Sequence, residues 1–425
     1  MNRGTGANLP SVRHHNGALL LDLLRAAGPG GLGRAELAER SGLTPQAVSK
    51  ICARLRADGL VDDAGRAAST GGKPRTLLRL VPHGGHAIGV HVDRDGTHAV
   101  LVDLTGRVLA EARTPVGLAD GACEDPAHDR PHPPADDPAR DGDAARTHGT
   151  SGPPAGDPGR PGPHGAHARH VGVRAACGLV DAVTGLVRGL LPAGSPPVPV
   201  GVALPGPLDA RTGVLGPITA APAWAGVPLR ALLAERLAAE GLTPPDGVVL
   251  DKDTNAVVVG ALRALPDPAG DVVCLHLGTG LGAGLHLGGT LHRGARSAAG
   301  EFGHQVLDPA GPRCACGARG CVEALCLAAA ARGDLPAAAR ALGEAAANLV
   351  ALLDVDRLLL GGGTVDAAPE VFLTGVRAAL AARSHPTPYG PSAPAGSSVT
   401  VSRTPVGPAA GAAELALAPL FGRRP

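Results

Sequence analysis

Aromatic side chains are almost absent from this chain of 425 residues, which contains one Trp, one Tyr and three Phe. A ligand site in such a chain cannot depend mainly on stacking against aromatic rings. Recognition must then rest on hydrogen bonds from polar side chains, an arrangement that suits ligands rich in hydroxyl groups.

Net charge is small as well, because 39 Lys and Arg oppose 38 Asp and Glu and leave a formal charge of +1. The whole molecule therefore has no strong field that would attract nucleic acid. Any contact with DNA must come from a local basic patch.

Long apolar runs are also missing. No run is long enough to cross a bilayer, and the polar N-terminal segment lacks the apolar region of a secretory signal. Three of the eight Cys are grouped at metal-ligand spacing, which in such a chain favours a reducing compartment. We expect a cytoplasmic protein without a membrane partner.

Among the features that are present, a glycine loop follows the apolar segment 272–277. It begins GTGLGAG, and the backbone N–H groups of Gly278, Thr279, Gly280 and Gly282 can approach a phosphate closely because glycine lacks a Cβ. A tight β-turn in a glycine-rich protein is the alternative interpretation.

A group of candidate metal ligands comes next. His304 precedes Cys314, Cys316 and Cys321 in the pattern H-x9-C-x-C-x4-C. One imidazole and three thiolates form a closed tetrahedral zinc set, with no open position for a catalytic water. Three reduced thiols in a loop are the alternative, although a loop of polar residues and glycines does not suit buried thiols. The pattern predicts one structural Zn²⁺.

The N-terminal segment 10–82 has the pattern of a helix-turn-helix followed by a basic wing. Thr44 is the predicted N-cap of a helix with Pro45 in its first turn, and apolar residues recur behind it at helical spacing. The opposite face is polar, and the wing covers residues 65–80. A small helical module for protein interaction is the alternative. We predict that Gln46, Ser49 and Lys50 contact base edges, and that Arg54, Lys73 and Arg75 contact phosphate or the minor groove.

Residues 119–170 are rich in Pro, Gly, Asp, Arg and His and contain almost no aliphatic side chains. Such a segment cannot bury enough apolar surface to offset the loss of chain entropy, so we predict that it is disordered. Its irregularly spaced histidines could bind metal loosely, but a solvated linker explains the composition better.

The motifs GTGxGxG, GExGH and CxCGxxGCxE resemble those of the ROK family of repressors, open reading frames and sugar kinases. The resemblance extends, with gaps, from about Gly84 to the C-terminus. It implies an α/β fold with a two-lobed, actin-like ATPase (ribonuclease H-like) domain over residues 84–425, in which 119–170 is an insertion. ELAxxxGLTxxxVSKxxxxLxxxGL, followed by STGGKP, resembles the winged helix of ROK repressors. This implies an all-α/winged helix-turn-helix domain over residues 10–82.

By this resemblance, Asp253 stands at the position of the family's catalytic Asp, a role that requires retained kinase activity. An acid that caps a neighbouring helix is the alternative. Lys252 replaces the usual Asn, and His304 would serve both zinc and a sugar hydroxyl. The resemblance implies a sugar site formed by Gly206, Lys252, Asp253, Glu301, His304 and Glu323. It also implies vestigial nucleotide loops at Gly278, Thr279, Gly280, Gly282 and Gly362.

The first phosphate loop departs from the family's pattern. Kinase relatives carry an Asp-x-Gly-Gly-Thr-like hairpin, whereas this chain has HVDRDGT over residues 91–97. His91 occupies the position of the acid, and Asp93 that of a glycine that would admit the phosphates. The Asp93 carboxylate would repel a polyphosphate by about 4 kcal/mol at ~4 Å and an effective dielectric constant of ~20, unless it recruits Mg²⁺. We expect ATP and Mg²⁺ to be used poorly or not at all, although the second loop still allows residual nucleotide binding.

Three functions are compatible with these patterns. The leading hypothesis is a sugar-responsive transcriptional repressor on the nucleoid, a homodimer or higher homo-oligomer that binds palindromic operator DNA and a sugar or sugar-phosphate effector. The second is an active ATP-dependent hexose kinase that carries an extra DNA-binding domain. The third is a DNA-tethered scaffold with an inactive pocket, and the retained acids count against it.

Overall fold

The computed structural model describes residues 9–66, 75–121, 163–218, 221–265, 270–383 and 399–423. Its N-terminal part contains three helices and a small antiparallel sheet in which β3 lies between β1 and β2. The elements are α1 (Leu9–Ala27), β1 (Leu32–Gly33), α2 (Arg34–Ser41), α3 (Pro45–Ala57), β2 (Val61–Arg66) and β3 (Thr76–Leu80).

The turn between α2 and α3 has the geometry that the sequence predicts. Gly42 ends α2 in the left-handed region, at φ 69°, where a residue with a Cβ would be strained. The Thr44 hydroxyl then accepts a hydrogen bond from the Ala47 N–H at 3.3 Å, which caps α3. Because Val48 and Leu55 are buried on the inner side of α3, its polar side remains exposed.

The first lobe of the remaining chain is built on a five-stranded sheet with the order β10-β7-β4-β5-β6. β4, β7 and β10 are parallel, whereas β5 and β6 continue from β4 as antiparallel strands. Trp224 lies in the core, and its Nε1 donates to the Leu118 carbonyl at 3.0 Å. The elements are β4 (His86–Val92), β5 (Thr97–Asp103), β6 (Val108–Thr114), α4 (Pro163–Leu190), β7 (Val200–Leu204), β8 (Leu208–Asp209), β9 (Val214–Leu215), α5 (Leu229–Ala239) and β10 (Val248–Lys252).

The second lobe repeats this arrangement. Its sheet has the order β13-β12-β11-β14-β15, with β11, β14 and β15 parallel and β12 and β13 antiparallel. The repeat confirms the predicted two-lobed α/β architecture. The elements are α6 (Asp253–Ala264), β11 (Val272–Leu277), β12 (Leu281–Leu287), β13 (Thr290–Leu291), α7 (Val322–Ala331), α8 (Leu335–Leu353), β14 (Arg357–Gly361), α9 (Gly363–Ala367), α10 (Pro369–Ala382), β15 (Thr400–Arg403) and α11 (Pro408–Leu417).

Helices α6 and α11 pack together, and α11 also lies against β4 and β7. Glycine permits this approach: a Cβ at Gly89 of β4 would lie 1.9 Å from the Ala409 carbonyl oxygen, and one at Gly411 of α11 would lie 2.0 Å from that of Ala256. The other side of α11 shares an apolar core with the N-terminal helices, which contains Leu24 of α1 and Leu417 of α11. The N-terminal part is therefore packed against the two-lobed part.

The prediction of disorder over residues 119–170 is wrong at both ends. Residues 118–121 form a turn of 3-10 helix, and α4 begins at Pro163. A helix that is anchored by buried residues such as Leu179 and Val183 extends at little cost, because each added residue gains one backbone hydrogen bond. The middle of the segment, 122–162, lies outside the described residues. No helix in the described ranges is both long and apolar enough to span a membrane.

Candidate functional site

A cavity of about 330 Å³ lies between the two lobes. The six residues predicted to bind sugar all line it, together with four of the five residues predicted for the nucleotide loops. These are Gly206, Lys252, Asp253, Glu301, His304 and Glu323, and Gly278, Thr279, Gly280 and Gly282. An adjoining cavity of about 630 Å³ is lined by Gly278 and Thr279 and by Gly362, the fifth loop residue. The structure therefore brings the sequence-predicted residues together.

Lys252 ends β10 with a buried side chain that is 3% exposed. Its Nζ donates to the Ala299 carbonyl oxygen at 2.5 Å and to Glu301 Oε1 at 3.1 Å. A buried ammonium group requires such a partner. A Cβ at Gly206 would lie 2.6 Å from Lys252 Cδ, so the glycine leaves space for the lysine stem. The pocket therefore contains a fixed pair of opposite charges.

Asp253 is the first residue of α6, where the helix dipole favours a negative charge. Its Oδ1 accepts a hydrogen bond from the Thr254 N–H at 2.6 Å, and the same carboxylate lines the cavity. The side chain thus contacts the start of its own helix, not a neighbouring one, and also faces the ligand space.

Glu323 connects the second lobe's glycine loop to the cysteine cluster. Its Oε2 accepts a hydrogen bond from the Leu281 N–H at 2.8 Å, and its Oε1 lies 3.9 Å from Cys314 Sγ. The residue lies in the first turn of α7, which directly follows Cys321. The position of the glycine loop is therefore coupled to that of the cysteines.

The ligand atoms of the four predicted metal ligands lie within 4.8 Å of one another. His304 Nδ1 is 3.6 Å from Cys314 Sγ, and Cys316 Sγ is 3.7 Å from Cys321 Sγ. A tetrahedral zinc ion with bonds of about 2.0–2.3 Å separates its ligand atoms by roughly 3.3–3.8 Å. The donor set therefore fits Zn²⁺. Because His304 Nδ1 faces Cys314 Sγ, the Nε2 atom lies on the other side of the imidazole ring.

The three thiols differ in their surroundings. Burial raises the pKa of Cys314 and raises that of Cys321 to about 12, whereas a hydrogen bond from the Ala318 backbone N–H lowers the pKa of Cys316. A bound cation would have to displace protons from the buried thiols, so its binding and the release of protons are linked.

The first phosphate loop is held against the second by a hydrogen bond. Thr279 Oγ1 donates to Asp93 Oδ1 at 3.0 Å, and the Arg94 N–H donates to the same oxygen at 2.7 Å. The carboxylate of Asp93 thus lies beside the glycine loop where phosphate groups would be held. His91 lies behind it: burial lowers its pKa, although the charges of Asp253 and Asp93 act in the opposite direction.

His276 is a site residue that the sequence analysis missed. It lines both interlobe cavities with His91. Within the described ranges, His91 Nε2 and His276 Nδ1 are buried without a hydrogen-bond partner. Each histidine is the second-last residue of the strand that leads into a phosphate loop. This shared position is the sequence signal from which His276 could have been predicted as a site residue.

The predicted DNA-contacting residues of α3 lie on the surface. Gln46, Ser49 and Lys50 are exposed on the side of the helix that faces away from its core. Arg54 is exposed but lies toward α1, because its Nη2 would be 2.9 Å from a Cβ at Gly17. Arg75 is exposed at the start of β3, and Lys73 lies outside the described residues.

Two family models match the chain. A winged helix-turn-helix DNA-binding model matches residues 21–62, and the ROK family model matches residues 174–337. The chain carries a ROK family domain behind an N-terminal winged helix-turn-helix domain. The match to the first model includes α3, and the match to the second covers the interlobe residues from Gly206 to Glu323.

The ROK domain is similar in sequence to several sugar kinases. Glucokinase from Thermotoga maritima is 38% identical over 134 residues, which are 31% of this chain and 40% of the relative. N-acetylmannosamine kinase from Salmonella arizonae is 36% identical, over 32% of this chain and 55% of the relative. Kanosamine kinase from Amycolatopsis mediterranei is 31% identical, over 42% and 65%. The chain therefore spans less than two thirds of each of these relatives.

Solved structures share the fold. A ROK family transcriptional regulator, a homologue of the Escherichia coli MLC protein, superposes with a TM-score of 0.64 at 18% identity and covers 97% of both chains. A ROK family glucokinase from Streptomyces griseus, in complex with glucose and AMPPNP, gives a TM-score of 0.53 at 23% identity over 78% of this chain and 98% of the other. The predicted fold class is confirmed.

Proposed function

We propose that this chain is a sugar-responsive transcriptional repressor that binds DNA through its winged helix and has little or no kinase activity. One observation carries the proposal: a single packed chain contains both the exposed polar face of α3 and a polar cavity lined by the six predicted sugar-binding residues. Such a protein would act on the nucleoid in the cytoplasm.

The sugar would lie in the interlobe cavity. Glu301, Glu323 and Asp253 offer carboxylate acceptors for hydroxyl groups, and the Lys252 ammonium group already neutralises part of the charge on Glu301. A structural Zn²⁺, held by His304, Cys314, Cys316 and Cys321, would fix the loop that presents His304 and Glu323.

A route for the response follows from the packing. Helix α6 begins at the ligand-facing Asp253, packs on α11, and α11 shares its apolar core with α1 of the DNA-binding domain. A sugar that shifts the start of α6 would act on α11 and thereby on the position of α3. A homodimer that places two α3 helices on a palindromic operator would read two half-sites.

The geometry of the first loop supports the absence of efficient kinase activity. Asp93 stands beside Thr279, where a carboxylate repels a polyphosphate. The second candidate function, an active hexose kinase with an added DNA-binding domain, is favoured by Asp253 and the intact second glycine loop, which lie in one cavity. A coupled ATPase assay over hexoses and N-acetylhexosamines separates the two. Sugar-dependent turnover near the ~10 s⁻¹ median of enzymes would establish the second candidate.

Selection of random oligonucleotides by the full-length protein tests the DNA-binding part of the proposal. We expect a salt-dependent preference for a palindromic sequence, because phosphate contacts release counterions. Gln46→Ala and Lys50→Ala should each weaken specific binding by about 1–3 kcal/mol. Arg188→Ala, an exposed change on α4, is the control and should leave binding unchanged. Absence of any sequence preference contradicts the proposal.

A thermal-shift screen of neutral sugars and sugar phosphates tests the sensor part. At least one should stabilise the protein and change its affinity for the selected DNA. A sugar that stabilises the protein but leaves the DNA affinity unaltered would contradict a regulatory role.

A further inference from the structure

A third cavity, of about 690 Å³, lies where the DNA-binding domain meets the ROK domain. Its walls come from α1, from the C-terminal half of α6, from the β12–β13 hairpin and from α11 with the turn that follows it. None of its lining residues lines the interlobe cavities. Its volume falls within the ~300–1,000 Å³ of small-molecule sites.

Four arginines line this junction cavity, and within the described ranges three carboxylates are their partners. Arg25 pairs with Glu414 at 2.5 Å, with both side chains 7% exposed. Arg293 pairs with Asp251 at 2.7 Å. The remaining two share a single acid, Asp22, at 3.4 Å from Arg263 and 2.6 Å from Arg423. The set has one positive charge in excess.

The same wall offers a second polar feature. His286 lines the cavity, and its Nδ1 is buried without a hydrogen-bond partner among the described residues. Burial is the main cause of its lowered pKa, so the neutral ring offers either an acceptor or a donor to a ligand hydroxyl. The cavity thus combines guanidinium groups, which match phosphate oxygens in pairs, with a site for a hydroxyl group.

We propose that the junction cavity is a second ligand site, which takes a small phosphate monoester between Arg263 and Arg423, beside the contacts of both arginines with Asp22 of α1. The phosphate would lie beside two guanidinium groups whose charge Asp22 offsets only in part, and its organic part would extend toward His286. The proposal depends neither on the identity of the sugar in the interlobe cavity nor on the DNA sequence.

The position of the cavity gives such a ligand influence on both domains. Helix α6 has Asp253 at one end and Arg263 near the other, about 15 Å apart at ~1.5 Å per residue. The salt bridge between Arg25 and Glu414 crosses the same cavity and joins helices that are 389 residues apart in sequence. A bound phosphate monoester would therefore alter the contacts between α1 and the ROK domain.

Calorimetric titration of the full-length protein tests the site, with glucose 6-phosphate and inorganic phosphate as probes. We expect at least one probe to bind. The double variant Arg263→Gln/Arg423→Gln should bind that probe at least tenfold more weakly. Arg188→Gln, an exposed arginine of the ROK domain, is the matched control and should retain the wild-type affinity. Tighter binding of the ester identifies a phosphorylated metabolite as the ligand, and equal binding identifies free phosphate. Failure of both probes to bind overturns the proposal.

Two further measurements make the result independent of the folding of the double variant. Glu301→Gln alters only the interlobe cavity, so weaker phosphate binding in this variant, with normal binding in the arginine variant, would overturn the proposal. In the wild-type protein, phosphate should protect Arg263 and Arg423, but not Arg188, from phenylglyoxal, as measured by peptide mass spectrometry. Equal modification of the two arginines with and without phosphate would also overturn it.

Discussion

The two lobes share one strand order but differ at their first hairpins. In the first lobe, β4 and β5 are joined by Asp93-Arg94-Asp95-Gly96, and in the second, β11 and β12 are joined by Gly278-Thr279-Gly280. One loop is charged, and the other presents backbone N–H groups with little steric hindrance. We propose that the same topology supplies one hairpin that can hold phosphate and one that resists it.

The strands of the two hairpins correspond residue by residue. Val92 pairs with Thr97 at the end of the first hairpin, and Leu277 pairs with Leu281 at the end of the second, so His91 and His276 are equivalent. Both ring systems have a buried nitrogen without a partner in the part of the chain that the structure describes. The difference between the lobes thus lies in the loop residues rather than in the strands.

The largest expected effect concerns the support of the second hairpin. Cys321→Ser should remove the proposed zinc and release α7, so that Glu323 no longer holds the Leu281 N–H. We expect a loss of about 3 kcal/mol or more, equivalent to a fall in Tm of roughly 3–5 °C in a chain of this length. Calorimetry and elemental analysis measure both changes.

The matched control for this change is Cys326→Ser, since Cys326 is a buried thiol of α7 outside the metal set. It should keep one zinc per chain even if it lowers Tm. Equal zinc contents well below one per chain in the wild type and both variants would show that the cluster is not a zinc site.

A second change tests how closely the second hairpin packs. A Cβ at Gly284 of β12 would lie 2.0 Å from the Thr254 carbonyl oxygen of α6. Gly284→Ala should therefore destabilise the protein by about 1–3 kcal/mol in denaturant unfolding. Gly278→Ala, whose Cβ would meet nothing closer than 3.6 Å, should cost less than about 0.5 kcal/mol. Similar costs for the two variants would contradict the close approach of α6.

These contrasts show what the sequence could predict. The cap at Thr44 and the cluster from Cys314 to Cys321 follow from patterns within one helix or one loop, and His304 is ten residues away. The strand order could be inferred only through the family resemblance. Because local propensity decides the conformation of such segments, short-range patterns were sufficient for them.

Contacts between distant segments could not be predicted in the same way. Thr279 meets Asp93 across 186 residues, and Arg25 meets Glu414 across 389. Lys252 was recognised as an unusual residue, but its bond to Glu301 depends on how β10 meets the loop at residue 299. The start of α4 at Pro163 was missed, although a helix was predicted from Val171, because its first residues resemble the polar segment before them and its anchoring residues come later.

A third change makes the first hairpin resemble the second. Asp93→Gly removes the carboxylate beside Thr279 and exposes backbone N–H groups to a nucleotide. We expect ATP to bind roughly tenfold more tightly, or about 1.4 kcal/mol, because one repulsive charge is removed near the phosphates. Asp95→Gly, an exposed change in the same loop, is the control. If Asp93→Gly binds ATP no better than the control does, the carboxylate is not what weakens the site.

The smallest effect concerns the stability of the first hairpin at low pH. Because burial lowers the pKa of His91 in the folded protein, the unfolded chain binds a proton there at a higher pH than the folded one. The unfolded value lies near ~6.5, so the free energy of unfolding should fall as the pH drops below it. His91→Gln should reduce this slope, and the exposed change His292→Gln should retain it. Urea unfolding at proposed conditions between pH 7.5 and pH 5 measures how the free energy of unfolding changes with pH. If His91→Gln shows the same slope as the wild type, His91 is not the group that titrates.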